Sequence, residues 1–394
     1  MLQLLIIADD FTGALDNGVQ FADLGAKTLV VTESNYELKN AEGLDVLIFD
    51  SETRHVNPEN AYRKVYNFTK KAKDFGVPYI FKKTDSGLRG NIGAELAAVM
   101  DALSVSEMSL IPAFPKANRV TKNGIHYVDG VPVAESMFGQ DPFEPVKHSD
   151  VHEIIAEQTH KTGINVFDAE TDEDIKAIAE SLGHEGLKLT AGCAGFAGAL
   201  ANVLGFNGKC QEIPKMPENL FMICGSLNPV TLSQVEYAVS KGFSYICLSV
   251  EQKLNPDWPH SEDCRNSGAK WLAQISGSNA ILDANNPDDS SKTEAYIHKY
   301  KLSADDVRLN ISRAVTGAAK AVIDAGLNAR LMCVGGDTLL ALMQAVGVYE
   351  LAPLCEIETG VVLTGFTYNG KKYYIMTKSG ALGEKDLLVK LAGK

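Results

Sequence analysis

Short apolar runs recur along the chain. Each is followed by a polar turn and then by a stretch whose apolar residues fall three and four apart. Leu2 to Ala8 predicts a first strand, and Leu15, Val19 and Ala22 then share one face of a helix. Lys27 to Thr32 and Leu44 to Phe49 predict two more strands. Asn57-Pro58 places a cap before a proline at the first helical position, and Gly76 closes that helix. Val77 to Phe81 predicts a fourth strand, Ile92 to Met100 a helix, and Ser109 to Pro112 a fifth strand. Such alternation predicts a doubly wound, mostly parallel sheet.

The rhythm then changes. Asn123-Gly124 and Asp129-Gly130 are hairpin turn signals, so a β-hairpin insertion is predicted over Arg119 to Val133. A helix from Val151, a strand at Ile164 to Phe167, a helix after Thr171 with Asp174 in capping-box position, and a strand at Leu187 to Thr190 follow. Ala191 to Gly198 is rich in small residues but is not GxGxxG, and reads as tight helix packing. The polar Gly205 to Asn219 stretch carries glycine and proline. It sets a predicted boundary between domains 1–212 and 213–394.

The second half repeats one device three times: a strand, a glycine- or serine-bearing turn, then a helix. The turns are Gly225-Ser226-Leu227-Asn228-Pro229, Gly335-Gly336-Asp337-Thr338, and Lys378-Ser379-Gly380-Ala381-Leu382-Gly383. A helix N-terminus there offers unpaired N–H groups, and small residues let a phosphate approach. No GxxxxGK[ST] occurs, so a P-loop is excluded. The fold class expected is two α/β domains, the second with turns suited to phosphate.

A length of 394 residues exceeds one ordinary core. With 37 basic against 50 acidic side chains the formal charge is −13, which disfavours nucleic acid and anionic membranes as partners. No apolar run approaches the ~18 residues of a membrane span. The N-terminus meets two acids at once and reads as a strand rather than a signal peptide. Seven scattered cysteines without a CxxC fit reduced thiols in a cytoplasmic protein. The histidines show no ligand spacing, so no metal ligands are assigned.

Candidate chemistry concentrates in Phe81-Lys82-Lys83-Thr84-Asp85-Ser86-Gly87-Leu88-Arg89-Gly90-Asn91, between a strand and a helix. Ligands of open α/β sheets bind at such carboxyl ends. Lys82, Lys83 and Arg89 suit an anion, Thr84 and Ser86 add hydroxyls, and Asp85 is a candidate proton acceptor. The plain alternative is a solvated loop capped by Asn91. Asp9 and Asp10 follow the first strand and either touch substrate or favour the helix dipole. Arg54 follows the third strand as a candidate carboxylate fork. Asp337 either organises a metal–phosphate complex or caps a helix. Lys378 either neutralises phosphate or sits exposed. His55 and His126 read as ordinary polar contacts.

Taken in order, the motifs resemble the four-carbon acid sugar kinases, which act on threonate, erythronate and 3-oxo-tetronate. The pieces are Ile7-Ala8-Asp9-Asp10-Phe11-Thr12-Gly13-Ala14; Lys82 to Ser86 with Leu88 to Asn91; Pro112-Ala113-Phe114-Pro115 followed by Arg119, Thr121 and Gly124; Gly225-Ser226; Gly335 to Thr338; and Lys378-Ser379-Gly380. The resemblance implies an N-terminal sugar-acid-binding domain and a C-terminal ATP-binding domain. It implies that Asp9 or Asp10, Arg54 and the Lys83-to-Ser86 turn contact the acid, and that Ser226, the Gly335-to-Thr338 turn and Gly380 contact ATP. Gly87 departs from the threonine of the family pattern, and Ala381-Leu382 from its Gly-Phe pair.

The reading reached is an ATP- and Mg²⁺-dependent kinase of the terminal hydroxyl of such an acid. The pool Arg54, Lys82, Lys83 and Arg89 anchors the carboxylate, and Asp85 or one of Asp9 and Asp10 takes the proton. Its partners are the acid and ATP, and it allows a homodimer. The rivals are an NAD(P)-dependent oxidoreductase of a small hydroxy acid, against which the missing GxGxxG counts, and a non-catalytic nucleotide or metabolite sensor.

Overall fold

The computed structural model describes residues 2–141, 144–286, 289–378, 380 and 382–393. Two compact units emerge, Met1–Gln211 with Ala352–Cys355, and Glu212–Leu351 with Glu356–Lys394.

The first unit runs β1 (Leu4–Ala8), α1 (Phe11–Ala22), β2 (Thr28–Val31), β3 (Val46–Asp50), α2 (Pro58–Phe75), β4 (Tyr79–Lys83), α3 (Ile92–Leu103) and β5 (Met108–Ile111). A three-stranded insertion follows, β6 (Arg119–Lys122), β7 (Ile125–Val128) and β8 (Val131–Pro132). Then come α4 (Val151–Ala156), β9 (Ile164–Val166), α5 (Asp172–Gly186), β10 (Leu189–Gly192) and α6 (Ala194–Val203). The main strands lie in the order β2-β3-β1-β4-β10-β5-β9 and all pair in parallel. Every residue of β1 is buried, which is why its apolar run does not alternate. On α2 the buried Ala61, Val65, Phe68 and Ala72 recur at helical spacing against the sheet. Asn57 accepts from the Asn60 N–H, and Gly76 closes the helix in the left-handed conformation. Both hairpin turns carry the positive φ pair their Asn-Gly and Asp-Gly sequences demand.

The second unit runs β11 (Leu220–Cys224), α7 (Pro229–Ser240), β12 (Ser244–Cys247), α8 (Val250–Leu254), α9 (Glu262–Ile275), β13 (Ala280–Asp283), α10 (Ser290–Tyr300) and α11 (Ala304–Asp324). It ends with β14 (Arg330–Val334), α12 (Gly336–Val346), β15 (Glu350–Glu358), β16 (Val361–Tyr368), β17 (Lys371–Lys378) and α13 (Leu387–Ala392). Its strands are ordered β12-β13-β11-β14-β17-β16-β15. The first five are parallel, and β16 pairs antiparallel with β17. The third strand–turn–helix device therefore differs from the other two. Its strand is the second arm of a hairpin, and its helix starts only at Leu387.

Among the described residues no helix is long and apolar enough to cross a membrane. All seven cysteines are free.

Candidate functional site

In the first unit β1 and β4 are neighbours, with Ala8 opposite Lys83. The chain leaves β1 toward β2 on one side and leaves β4 toward β5 on the other. Such divergence opens a crevice at the carboxyl ends of the two strands. Asp9 and Asp10 follow β1 there, and Lys83 to Arg89 close β4.

These side chains form one buried network. Arg54 Nε donates to Asp9 Oδ2 at 2.9 Å, and its Nη2 lies 2.6 Å from Asp10 Oδ1 and 3.4 Å from Asp85 Oδ1. Lys83 Nζ donates to Asp9 Oδ1 at 2.6 Å and to Asp10 Oδ1 at 2.5 Å. Arg89 grips Asp85 with two parallel bonds, Nε to Oδ2 at 2.8 Å and Nη2 to Oδ1 at 3.1 Å, and reaches Asp141 through Nη1 at 3.0 Å. Gly13 makes room for this: a Cβ there would fall 2.0 Å from Lys83 Nζ. The glycine of the Asp9-Asp10-Phe11-Thr12-Gly13 run is thus a consequence of the lysine it faces.

Charge matching decides the protonation states. Burial pushes the Asp9 carboxyl up, but Arg54 and Lys83 outweigh it and hold it well below the usual range. Asp85 is held low in the same way by Arg54 and Arg89 against burial. Lys83 and Arg54 are raised, because Asp10 and Asp9 outweigh their desolvation. Asp50 at the end of β3 goes the other way. Burial, reinforced by the neighbouring Glu52, lifts its carboxyl well above the ordinary value.

Not all the sequence candidates gather here. Lys82 projects from the strand position next to Lys83, and the period of two turns it to the opposite face. It is fully buried, pairs with Glu95 at 2.6 Å and donates to the Ile7 carbonyl at 3.1 Å, so it does not join the network. Nor is the elbow a solvated loop, since Thr84, Asp85, Gly87 and Leu88 are all buried. Asn91 does not cap α3; its amide donates to the Thr53 and Val56 carbonyls and ties the β3 elbow to the β4 elbow. Thr84 donates to the Gly192 carbonyl at 3.3 Å. Ser86 Oγ accepts from Arg119 Nη1 at 2.8 Å. His126 Nε2 donates to the Ser86 carbonyl at 2.9 Å, while His55 lies 3.6 Å from Glu144.

Several participants escaped the sequence reading. Glu52 Oε1 accepts the Phe11 N–H at the start of α1, a role Asp10 does not take. Asp50, Glu52 and Asp141 all lie beside the network, and position after a strand was the signal for the first two. The Phe138 ring stands where a side chain on Gly87 would be, 2.6 Å from a Cβ placed there. Only the folded insertion reveals that.

In the second unit the equivalent divergence falls between β11 and β14, whose connections leave toward β12 and β15. Ser226 and the Gly335-to-Thr338 turn sit at those two strand ends. Gly335 has φ of +97°, a conformation side chains rarely adopt, and no side chain caps α12. The first N–H groups of a helix have no partner within the helix, and at α12 no side-chain cap takes one. By contrast, Asn228 caps α7 by accepting from the Val230 N–H. Gly380 approaches Ser226 so closely that a Cβ would fall 2.6 Å from Ser226 Oγ, and Thr231 Oγ1 donates to its carbonyl at 2.8 Å. Asp337 makes no capping bond and pairs with Arg308 at 3.1 Å. Thr338 is buried, and so is Lys378, which sequence left free to be exposed. Burial lowers the Lys378 ammonium to about 8. Ser379 lies outside the described residues.

Two family models match the chain: a sugar-binding N-terminal domain over residues 4–165 and a nucleotide-binding C-terminal domain over 221–388. A D-threonate kinase of Salmonella typhimurium is 26% identical, aligned over 98% of this chain and 97% of its own. A D-erythronate kinase of Heliobacterium modesticaldum is 27% identical, over 98% and 95%. Among solved structures, Haemophilus influenzae protein HI1011 shares the fold with a TM-score of 0.74 at 20% identity, covering 98% of both chains. With its two domain matches in this order and its relatives aligned over nearly their whole length, the chain belongs to the four-carbon acid sugar kinase family.

Proposed function

We propose that the chain is an ATP-dependent kinase that phosphorylates the terminal C4 hydroxyl of threonate, erythronate or 3-oxo-tetronate. The observation that carries this reading is the Asp9–Asp10–Arg54–Lys83–Asp85 network at the β1/β4 crevice of the unit matched by the sugar-binding model. The uncapped, glycine-led α12 of the nucleotide-binding unit supports the ATP half. Names of the relatives support the substrate class.

Of the two catalytic candidates, Asp10 is the better base. Its side chain is 22% exposed, against 8% for Asp85, which Arg89 already holds by two bonds. Asp10 accepts the C4 hydroxyl proton, and Asp85 keeps Arg54 and Arg89 in place. Phosphoryl transfer of this kind is mainly positioning and charge stabilisation. Among the described residues no group of three or more His, Cys, Asp or Glu side chains is spaced to hold a metal. Mg²⁺ is usually held by phosphates and one or two carboxylates rather than by such a group. Asp337, more than half exposed at the α12 N-terminus, is the carboxylate that would meet it, and the ion supplies charge neutralisation. Seven unpaired thiols support a cytoplasmic setting.

ADP release measured with D- and L-threonate, D- and L-erythronate and their 3-oxo forms tests the reading. Turnover with at least one, absent without ATP, is expected. No release with any of them, despite measurable ATP binding, returns the chain to the sensor reading.

A further inference from the structure

The cations expected to anchor the substrate carboxylate are already committed. Arg54 faces Asp9, Asp10 and Asp85; Lys83 faces Asp9 and Asp10; Arg89 faces Asp85 and Asp141. Three positive charges thus meet four carboxylates. A substrate carboxylate bound there would add a fifth negative charge and compete with ligands fixed at 2.5–3.1 Å. Lys82 is sealed against Glu95 on the other face.

Arg119 is different. It opens β6 of the insertion, where the Asn118-to-Arg119 backbone folds back on Phe114. Its Nη1 donates to Ser86 Oγ at 2.8 Å, on the elbow that carries Asp85. Its guanidinium lies 5.2 Å from the centre of the Phe138 ring, against which Arg89 also rests at 4.9 Å. Among the described residues no carboxylate comes within ion-pair distance of it. Its Nε is buried with no acceptor. A buried donor left unpaired costs roughly 1–3 kcal/mol. Stacking on an aromatic face fixes the plane of a guanidinium while leaving its edge for a planar anion.

We propose that Arg119, and not the Arg54–Lys83–Arg89 set, supplies the guanidinium that takes the carboxylate of the sugar acid. This rests on the kinase reading for the identity of the acid. The three committed cations instead hold the aspartates in position around the hydroxyl to be phosphorylated. The Gly87–Phe138 contact belongs to the same device, because the ring that replaces a side chain at position 87 is the surface that orients Arg119.

The test is calorimetric titration of the full chain with the tetronates and with their uncharged primary amides. It uses wild type, Arg119→Gln and Arg119→Lys, with ATP affinity and Tm as fold controls. Loss of one member of a desolvated charge pair predicts that Arg119→Gln weakens the acid roughly 30- to 100-fold. Amide binding should change little, and KM for the acid should rise with kcat kept within a few fold. Arg119→Lys should recover part of the loss, since it restores the charge but not the fork. Wild-type acid affinity in Arg119→Gln, or equal losses of acid and amide, overturns the assignment. If Arg119→Gln does not fold, Arg119→Lys decides by the same comparison, acid weakened against amide unchanged. Acid binding without ADP release sinks the kinase reading and leaves Arg119 to be judged by the titrations. A wild type that binds no tetronate overturns both.

Discussion

The two units place a candidate site at the same topological feature and equip it in opposite ways. At the β1/β4 crevice the groups are side chains: three aspartates, two arginines and a lysine, interlocked and largely buried. At the β11/β14 crevice they are mostly backbone: a glycine at φ +97°, an uncapped helix start, and a serine and a glycine packed against each other. The first arrangement presents fixed charges and defined acceptors, which suit a small hydroxylated ligand. The second offers N–H groups and a dipole end, which suit a phosphate whatever the rest of the molecule carries. Glycine serves both, differently: Gly13 vacates space for the Lys83 ammonium, whereas Gly335 supplies a conformation.

The sharpest way to break the contrast is to remove a carboxylate from the first site. Asp10→Asn keeps the shape and loses the proton acceptor, so kcat should fall about 10²- to 10⁴-fold, with a smaller loss of stability than in Asp85→Asn because Asp9 still pairs with Arg54 and Lys83. Asp85→Asn should cost both activity and stability, by roughly 3–5 kcal/mol, because Arg89 and Arg54 lose a buried partner. Steady-state kinetics with urea unfolding separates the two. Equal Tm values for both variants would deny Asp85 its holding role.

Next in size is Lys82→Met. Glu95 would be left buried beside an apolar chain, so stability should drop by roughly 3–5 kcal/mol. The double variant Lys82→Met, Glu95→Leu should recover most of that loss. KM for the acid should stay within about threefold in the double variant, since neither side chain faces the crevice. A large rise in KM there would return Lys82 to the substrate.

That lysine shows what was legible in the sequence and what was not. The strands of the first unit, the Asn57–Gly76 helix limits, the paired hairpin turns and the Thr171–Asp174 capping box could be read because each is local. Lys82 and Lys83 are adjacent in a strand, so their opposite facing was implied by the period of two. Ending that strand at Phe81 rather than Lys83 hid it. The helix from Ala304 also carried a signal, the Ser303–Asp306 capping box, in a stretch where no element was assigned. Other features had no local signal. Arg54 meets Asp9 across 45 residues and Arg119 meets Ser86 across 33, through contacts set by strand order. The β15–β17 ribbon replaced a plain strand-to-helix repeat because its pairing depends on partners far along the chain.

A smaller effect probes the backbone-based site. Gly335→Ala forces a side chain into φ +97°, at a cost of roughly 1–3 kcal/mol for such strain. The ideal Cβ has room, with Thr338 Oγ1 at 3.7 Å, so the penalty falls on the turn and not on packing. KM for ATP should rise about tenfold, with acid affinity unchanged. Unchanged ATP affinity would remove the α12 start from the nucleotide site.

The smallest effect concerns how the first site is braced. The Ser86 carbonyl can only accept, so His126 Nε2 carries the proton and Nδ1 accepts from Thr121 Oγ1 at 3.0 Å. Neutral imidazole thus satisfies both contacts, and burial lowers its pKa to about 4 from 6.5. The sign follows from the direction of the shift. Between pH 6.5 and 4 the unfolded chain takes up a proton that the folded chain refuses, so acidification costs stability. Linkage gives about 0.8 kcal/mol between pH 8 and 6, rising to about 2 kcal/mol at pH 5. His126→Gln keeps a donor for the Ser86 carbonyl but does not titrate. Urea midpoints at pH 8, 6 and 5 should therefore converge as the pH falls, with wild type losing more than the variant. Because the acidic groups are common to both proteins, their difference isolates the imidazole. Parallel loss in the two proteins would mean that the ring titrates normally and that the hairpin is not sealed against Ser86. The support on which Arg119 stands would then be looser than its contacts to Ser86 and Phe138 imply.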